Sequence, residues 1–374
     1  MNILIINTVP TERNGITNVI FNLCQSINDN EIKMDLMAIN YPAENYKISI
    51  EEKGGNVYVI PRSLSSPLKY LRDLAKIIRE NEYDLVHVHG NSSTMVLDIL
   101  GVLMGGCRTV ITHGHSTNSS YIYLHVILKP LLNILTSCKI ACGLEAGKWL
   151  YGKSRFHVLT NGVNVEKFRY NEIVREAIRK ELNVSEDCIL LGHIGEINEN
   201  KNQSFIVDIL GQLSPLGNYK LVLVGEGSER QSVERKIETL GLSNDVIFTG
   251  GINNPQDYLS AFDIMVMPSK FEGLPLTLVE AQASGLQCVI SDAITKEVDL
   301  TGTMSFVSLD DGEKHWAHVI RSTKHADRIN QTRDNIISIT NRGYNILTSA
   351  QHLVSLYKDL TRYGSRKTHS DNNC

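Results

Sequence analysis

Short β-branched runs alternate with helical patterns along the first part of the chain, stop over a charged stretch, and then resume. This double alternation constrains the fold more than any other feature. Strands separated by helices pair in parallel and carry helices on both faces of the sheet. In the first half, strands are expected at 3–6, 34–39, 57–60, 85–89, 109–112, 138–142 and 157–159, with helices at 15–27, 68–79, 94–104 and 121–136. The stretch 165–183 is helix-prone and charged and reads as a connection. Strands then return at 189–194, 220–224, 245–248, 264–267 and 288–291, with a weaker one at 305–307. Helices fit 203–213, 229–240, 255–261 and 276–284, and a long one runs from about 342 to 363. With 374 residues available, the expectation is two Rossmann-like domains with parallel sheets facing a central cleft, followed by a disordered polar tail at 364–374.

Composition narrows the function classes. Thirty-seven basic against 41 acidic residues give a net charge of −4, which carries no footprint of general nucleic-acid binding. Seven scattered cysteines without a C-x-x-C pair suit a reducing cytosol, so a cytoplasmic location is expected. The chain opens directly on a strand, without the pattern of a signal peptide. The apolar stretch 121–144 is interrupted by His125, Lys129, Pro130, Asn133 and Lys139 and does not qualify as a membrane span. It reads either as a buried helix or as a basic, Leu-rich face resting on an anionic bilayer. The same two readings hold for the helix at 68–79, with Lys69, Arg72, Lys76 and Arg79.

Every candidate for chemistry follows a predicted strand, where this architecture places ligands. Gly15 follows the first strand and would admit a ligand close to the backbone, or serve as a plain turn glycine. His113, in His113-Gly-His-Ser116, would donate to a sugar hydroxyl or phosphate, or stay solvated. Lys201 sits at a helix start, where the dipole is already positive. A bound anion would offset that charge, as would Glu196 and Glu199. Gly225-Glu-Gly227 is too short a glycine motif to specify a ligand alone. The segment 271–285, FEGLPLTLVEAQASG, joins the strand at 264–267 to a helix beginning after Pro275, with Glu272 in the loop and Glu280 on the helix. Free amides at that helix start favour an anion. No Asp-x-Asp triplet occurs, so the common carboxylate pair for a magnesium-bound diphosphate is missing.

Asn161-Gly-Val-Asn164 with Phe168, Gly195 with Lys201-Asn202, Val224-Gly-Glu-Gly227, Pro268-Ser269, and Glu272-Gly-Leu-Pro-Leu-x-x-x-Glu280-Ala-x-Ala-x-Gly285 together resemble family 4 of the retaining glycosyltransferases. The resemblance covers nearly the whole chain, and its E-x7-E element is the specific part. The wording of 280–286 looks most like bacterial enzymes of exopolysaccharide and capsule assembly. The resemblance implies a GT-B fold with an acceptor-binding domain at 1–165, a linker at 166–186 and a nucleotide-sugar domain at 187–345. A helix at 346–363 would cross back to the first domain. It also implies that Glu280 binds the ribose hydroxyls and that Glu272 stands at the donor sugar. The amides of Gly273, Leu274 and Leu276 would serve sugar and diphosphate. Lys201, with Gly195 beside it, would neutralise the diphosphate, Gly15 would approach it from the other domain, and His113 would contact the donor sugar or its phosphate. Glu272, His113 and Lys201 are thus the expected catalytic residues, a nucleotide sugar (a UDP-sugar by preference) the donor, and no metal or other cofactor is expected. The acceptor would be a glycan, carried on undecaprenyl diphosphate at the inner membrane face. The family places arginine directly after the glycine matched by Gly195, and here stands Glu196. This implies either reduced activity or compensation by another basic group such as Arg13 or Lys270. That substitution keeps two alternatives open, a UDP-sugar epimerase of the same fold and a non-catalytic nucleotide-sugar-binding partner.

Overall fold

The computed structural model describes residues 1–11, 15–62, 66–324 and 327–370, the last eight by backbone alone. It divides into two compact units, one formed by Met1–Gly162 with Ile346–Cys374 and the other by Val163–Asn345.

The first unit holds β1 (Asn2–Asn7), β2 (Lys33–Ala38), β3 (Val57–Val59), β4 (Leu85–Gly90), β5 (Val110–Gly114), β6 (Cys138–Ala141) and β7 (His157–Val158). They form one parallel sheet in the order β3-β2-β1-β4-β5-β6-β7. Helices α1 (Gly15–Ser26), α2 (Glu44–Glu51), α3 (Pro67–Asn81), α4 (Val96–Gly105), α5 (Ile122–Leu135) and α6 (Leu144–Tyr151) make the connections. After Asn2, β1 is buried throughout, and all of β4 is buried, as expected for central strands covered on both faces. Leu4, Ile6, Val86 and Val88 pack there with Leu74 and Ile78 of α3 and Ile99 and Val102 of α4.

The second unit contains α7 (Glu172–Glu181), then β8 (Ile189–Ile194), α8 (Gln203–Leu213), β9 (Tyr219–Val224), α9 (Arg230–Thr239) and β10 (Val246–Gly250). It continues through α10 (Pro255–Ala261), β11 (Ile264–Met267), α11 (Leu276–Ala283), β12 (Gln287–Ser291), β13 (Met304–Val307), α12 (Gly312–Ser322) and α13 (Arg328–Asn341). Its sheet is parallel in the order β10-β9-β8-β11-β12-β13. Strand order therefore reverses between β1 and β4 in one unit and between β8 and β11 in the other. Open α/β sheets bind ligands outside the carboxyl ends of the strands at such reversals.

The charged stretch read as a connection is fastened to the second unit. Arg175 and Arg179 of α7 reach Asp263 at 2.5 and 2.9 Å, and Asp263 accepts the Leu190 amide at 2.7 Å. Burial pushes the Asp263 carboxyl up, but Arg175 and Arg179 hold it below the usual carboxylate range.

Helix α14 (Ile346–Ser370) belongs to the first unit. Tyr357 is buried and shares a 2.7 Å hydrogen bond with His87, and Lys358 pairs with Asp29 at 2.6 Å. The helix continues through Gly364–Ser370, the first part of the tail expected to lack structure, since a helix already formed adds turns at little cost. Residues 371–374 lie outside the described residues. Among the described residues, no helix is long and apolar enough to cross a membrane.

Candidate active site

At the reversal of the second sheet, two loops come together. The β8–α8 loop carries Gly195 and Lys201, and the β11–α11 loop carries Glu272. Asn200 donates to the Phe271 carbonyl at 2.8 Å, Asn202 donates to that of Pro268 at 3.2 Å, and the Lys270 amide donates to Asn200 at 2.8 Å. Lys201 Nζ lies 2.7 Å from Glu272 Oε1, with both side chains largely buried. This contact is an ion pair without the alignment of a hydrogen bond. The Lys201 stem runs past Gly195, where a Cβ would stand 3.5 Å from Lys201 Cε.

Behind this pair, buried His193 bonds through Nδ1 to the Val266 carbonyl at 2.9 Å and through Nε2 to Gln203 at 3.1 Å. Burial, with Lys201 adding to it, lowers the His193 pKa to about 4, so the imidazole is neutral. Gln203 also donates to the Glu196 carbonyl at 2.8 Å. The main chain of Glu196 is thereby fixed while its side chain is exposed to solvent, where a carboxylate pays little desolvation. Of the two basic groups expected to compensate for Glu196, Lys270 pairs with Glu199 at 2.8 Å, and Arg13 lies outside the described residues.

Helix α11 begins at Leu276 with Pro275 as its N-cap, no capping side chain and no acidic residue in its first turn. The Leu278 amide turns back to the Pro275 carbonyl at 3.0 Å, which leaves the amides of Leu276 and Thr277 without partners among the described residues and favourable to an anion. Gly273 opens onto free space, with nothing within 4 Å of an added Cβ, and Leu274 and Leu276 are half-buried beside it. Glu280 lies one turn further along, half-buried, and its carboxylate takes no hydrogen bond from the described residues. Burial raises its pKa to about 7, partly countered by Lys167. A neutral diol bringing two hydroxyl donors would favour the ionised form.

Gly225 and Gly227 have a structural reason. A Cβ on Gly225, which has φ +138°, would meet the Gly195 carbonyl oxygen at 2.0 Å, and one on Gly227 the Ile197 carbonyl at 2.0 Å. The backbones of the two loops interlock, with Gly195 donating to Val224 at 2.9 Å and Ile197 to Glu226 at 2.9 Å.

In the first unit, Gly15 opens α1, where an added Cβ would meet nothing within 4 Å. At the end of β1, Asn7 donates to Thr11 at 3.2 Å and to Thr17 of α1 at 3.3 Å. His113 is not a loop residue as expected. It is buried within β5, because pairing with β4 on one side and β6 on the other extends the strand beyond its β-branched run. It stands in a cluster that the residue-by-residue reading missed. His87 and His89 on β4 share one face, and His113 pairs in register with His89. His115 stacks on His113 with ring centroids 4.2 Å apart, and His89 Nδ1 lies 2.9 Å from His115 Nε2. Burial, reinforced by the neighbouring imidazoles, holds His87, His89 and His113 well below the ordinary histidine range, and burial brings His115 to about 3. Neither ring nitrogen of His113 has a hydrogen-bond partner among the described residues. The signal was present as two H-x-H triplets at the ends of adjacent parallel strands.

Lys201, Glu272, Gly195, Gly273, Leu274, Leu276 and Glu280 thus belong to the second unit, and Gly15 and His113 to the first. The model of the group 1 glycosyl transferases matches residues 174–300, and that of glycosyltransferase family 4 matches residues 13–167. The putative glycosyltransferase EpsF of Bacillus subtilis (strain 168) is 31% identical over 333 residues, spanning 84% of this chain and 86% of its own length. The chain belongs to the family 4, group 1 glycosyltransferases. This glycosyltransferase is also similar to the UDP-Gal:alpha-D-GlcNAc-diphosphoundecaprenol alpha-1,3-galactosyltransferase of Escherichia coli, 26% identical over 247 residues, 62% of this chain and 63% of that one. Its fold matches the crystal structure of Anabaena Alr3699/HepE in complex with UDP with a TM-score of 0.76 at 18% identity, over 96% of this chain and 100% of the other. The family's GT-B architecture accounts for both parallel sheets and for a last helix that packs on α1 of the N-terminal domain.

Proposed function

We propose that the enzyme transfers a hexose from a UDP-sugar, with retention at the anomeric carbon, to a lipid-linked glycan during assembly of a bacterial exopolysaccharide or capsule. The observation that carries the donor half is the site at the β8/β11 reversal: Lys201 against Glu272, an uncapped helix start, and a raised-pKa Glu280 on that same helix. A nucleoside diphosphate sugar supplies an anion for Lys201 and the α11 amides, and a ribose diol for Glu280. Glu272 then exchanges its lysine for the hydroxyls of the donor sugar. As the bond from the anomeric carbon to the β-phosphate oxygen breaks, UDP leaves with the electron pair. The acceptor hydroxyl adds on the same face and its proton passes to the departing phosphate. The Anabaena protein binds UDP, and the Escherichia coli relative uses UDP-Gal and a diphosphoundecaprenol acceptor, which supports both halves by similarity.

The deciding experiment incubates the purified enzyme with a panel of nucleotide sugars, with and without undecaprenyl-diphosphate-linked sugars, and measures nucleoside diphosphate release. Acceptor-dependent release of UDP is expected. A converted nucleotide sugar without release would instead identify an epimerase, and release of a different diphosphate would overturn the donor assignment.

A further inference from the structure

Four histidines converge toward the carboxyl ends of β4 and β5, and the proposed reaction employs none of them. Among the described residues, His87, His89 and His113 form the single group of at least three His, Cys, Asp or Glu side chains close enough to share a metal ion, with one nitrogen from each lying within 4.8 Å of the others. All three are buried. His87 Nε2 and both ring nitrogens of His113 are sealed from solvent without a hydrogen-bond partner among the described residues. An unpaired buried polar atom destabilises a fold, and apolar side chains would fill the same space without that cost. The orphaned nitrogens therefore point to a ligand.

Geometry selects its chemistry. The ring centroids stand 4.1 Å apart for His87 and His89, 5.0 Å for His89 and His113, and 5.5 Å for His87 and His113. Nitrogens held at about 2.0–2.1 Å from a tetrahedral zinc ion place the rings of a three-histidine set roughly 5 Å apart. Parallel pairing of β4 with β5 thus holds the rings at coordination spacing. Rotation about χ2, a broad torsion in histidine, brings the nitrogens onto one centre. A metal-bound imidazole keeps its other nitrogen in a hydrogen bond that fixes ring and tautomer. Here His87 Nδ1 shares a 2.7 Å hydrogen bond with Tyr357, and His89 Nδ1 lies 2.9 Å from His115 Nε2, which leaves Nε2 of both rings for a cation. An all-imidazole set suits zinc, copper or nickel, whereas magnesium and calcium take oxygen ligands. Three protein ligands leave a fourth position for an exchangeable molecule.

We propose that His87, His89 and His113 form a three-histidine site for a divalent transition-metal cation of the zinc class, with Tyr357 and His115 orienting the ligand rings and a fourth position open to water. This inference does not rest on the donor reading. The histidines belong to the first unit, whereas Lys201, Glu272 and Glu280 belong to the second.

The test titrates the chelator-treated, tag-free, full-length protein with zinc by calorimetry and with cobalt(II) by visible absorption. Binding of one zinc per chain, a four-coordinate cobalt spectrum and no response to magnesium are expected. His113→Phe keeps the ring and gives up no hydrogen bond among the described residues, so its circular dichroism should match the metal-free parent. Its zinc affinity should fall more than about a hundredfold, since a ligand is lost outright. Tyr357→Phe removes only the hydroxyl on His87 and should weaken zinc about tenfold. If His113→Phe does not fold, Tyr357→Phe decides, because its ring packing is kept. Exposed His315 and His318 on α12 supply the control, and His315→Ala/His318→Ala should bind zinc as the parent does. The site is overturned if zinc does not bind stoichiometrically, if the cobalt adduct is octahedral, or if His113→Phe and Tyr357→Phe bind as the parent does. Loss of binding in the α12 variant would equally overturn it, by moving the metal to that helix.

Discussion

The two units place opposite electrostatics at equivalent points of the same topology. Beside the β8/β11 reversal stand an ion pair and a carboxylate poised near neutrality. Beside the β1/β4 reversal stand four imidazoles that burial keeps uncharged. Topology sets where a ligand is met, and side chains at the strand ends set which part of it. In the proposed reaction the charged unit takes the leaving diphosphate with Lys201 and the donor sugar with Glu272. Each half of this contrast can be broken separately.

The largest effect is expected from Lys201→Ala, which removes the cation from the departing diphosphate. A loss of about 10²–10³ in kcat is expected from steady-state UDP release. An effect confined to KM would move Lys201 out of the transition state and into ground-state binding. Next comes Glu280→Gln, expected to weaken UDP binding about tenfold to a hundredfold by calorimetry, since a hydrogen bond to an ionised acceptor is lost. This variant also has a pH signature. The Glu280 pKa of about 7 lies above the ordinary carboxyl value, so its ionisation opposes folding as pH rises toward 7, and a diol that favours the ionised form relieves the cost. UDP affinity should therefore rise with pH through about 7 in the parent. In Glu280→Gln only the titration of the phosphate itself should remain. Identical pH profiles would remove Glu280 from the ribose site. The smallest effect concerns the neutral side. Tyr357→Phe leaves His87 Nδ1 without its partner and should cost about 1 kcal/mol in denaturant unfolding, with little change in UDP affinity. A large loss of UDP binding would mean that the imidazole cluster and the donor site are coupled.

The strands were legible because β-branched runs between turn residues announce them, and β8 and β11 match their expected bounds residue for residue. Helices α2, α6, α12 and α13 were not anticipated. In α13, Asn, Thr and Ser dilute helix propensity, and tertiary bonds supply what propensity does not. The Arg328 guanidinium donates to the carbonyls of Leu259, Ser260, Phe262 and Ser284, and Asn335 donates to Gln282 at 2.7 Å. In α6, Gly147 lowers propensity but admits the Phe156 ring, which a Cβ would meet at 2.1 Å. The E-x7-E spacing made Glu272 and Glu280 visible, but the partner of Glu272 and the titration of Glu280 depend on loops brought together by the sheet. His113 was visible as a residue type. Its setting was not, because four imidazoles converge only once β4 and β5 pair.

Helix α14 bears on how this protein emerges from the ribosome. Residues 163–345 form a contiguous unit, whereas the first unit includes α14, whose Tyr357 bonds His87 of β4 and whose Lys358 pairs with Asp29. During synthesis the first-made segment therefore waits for its partner helix until the whole second unit and α14 have been made. The middle of the chain can finish folding first, against the usual N-to-C order. A nascent chain stalled after residue 345 should then bind chaperones through its N-terminal segment, and release of the final helix should end that dependence.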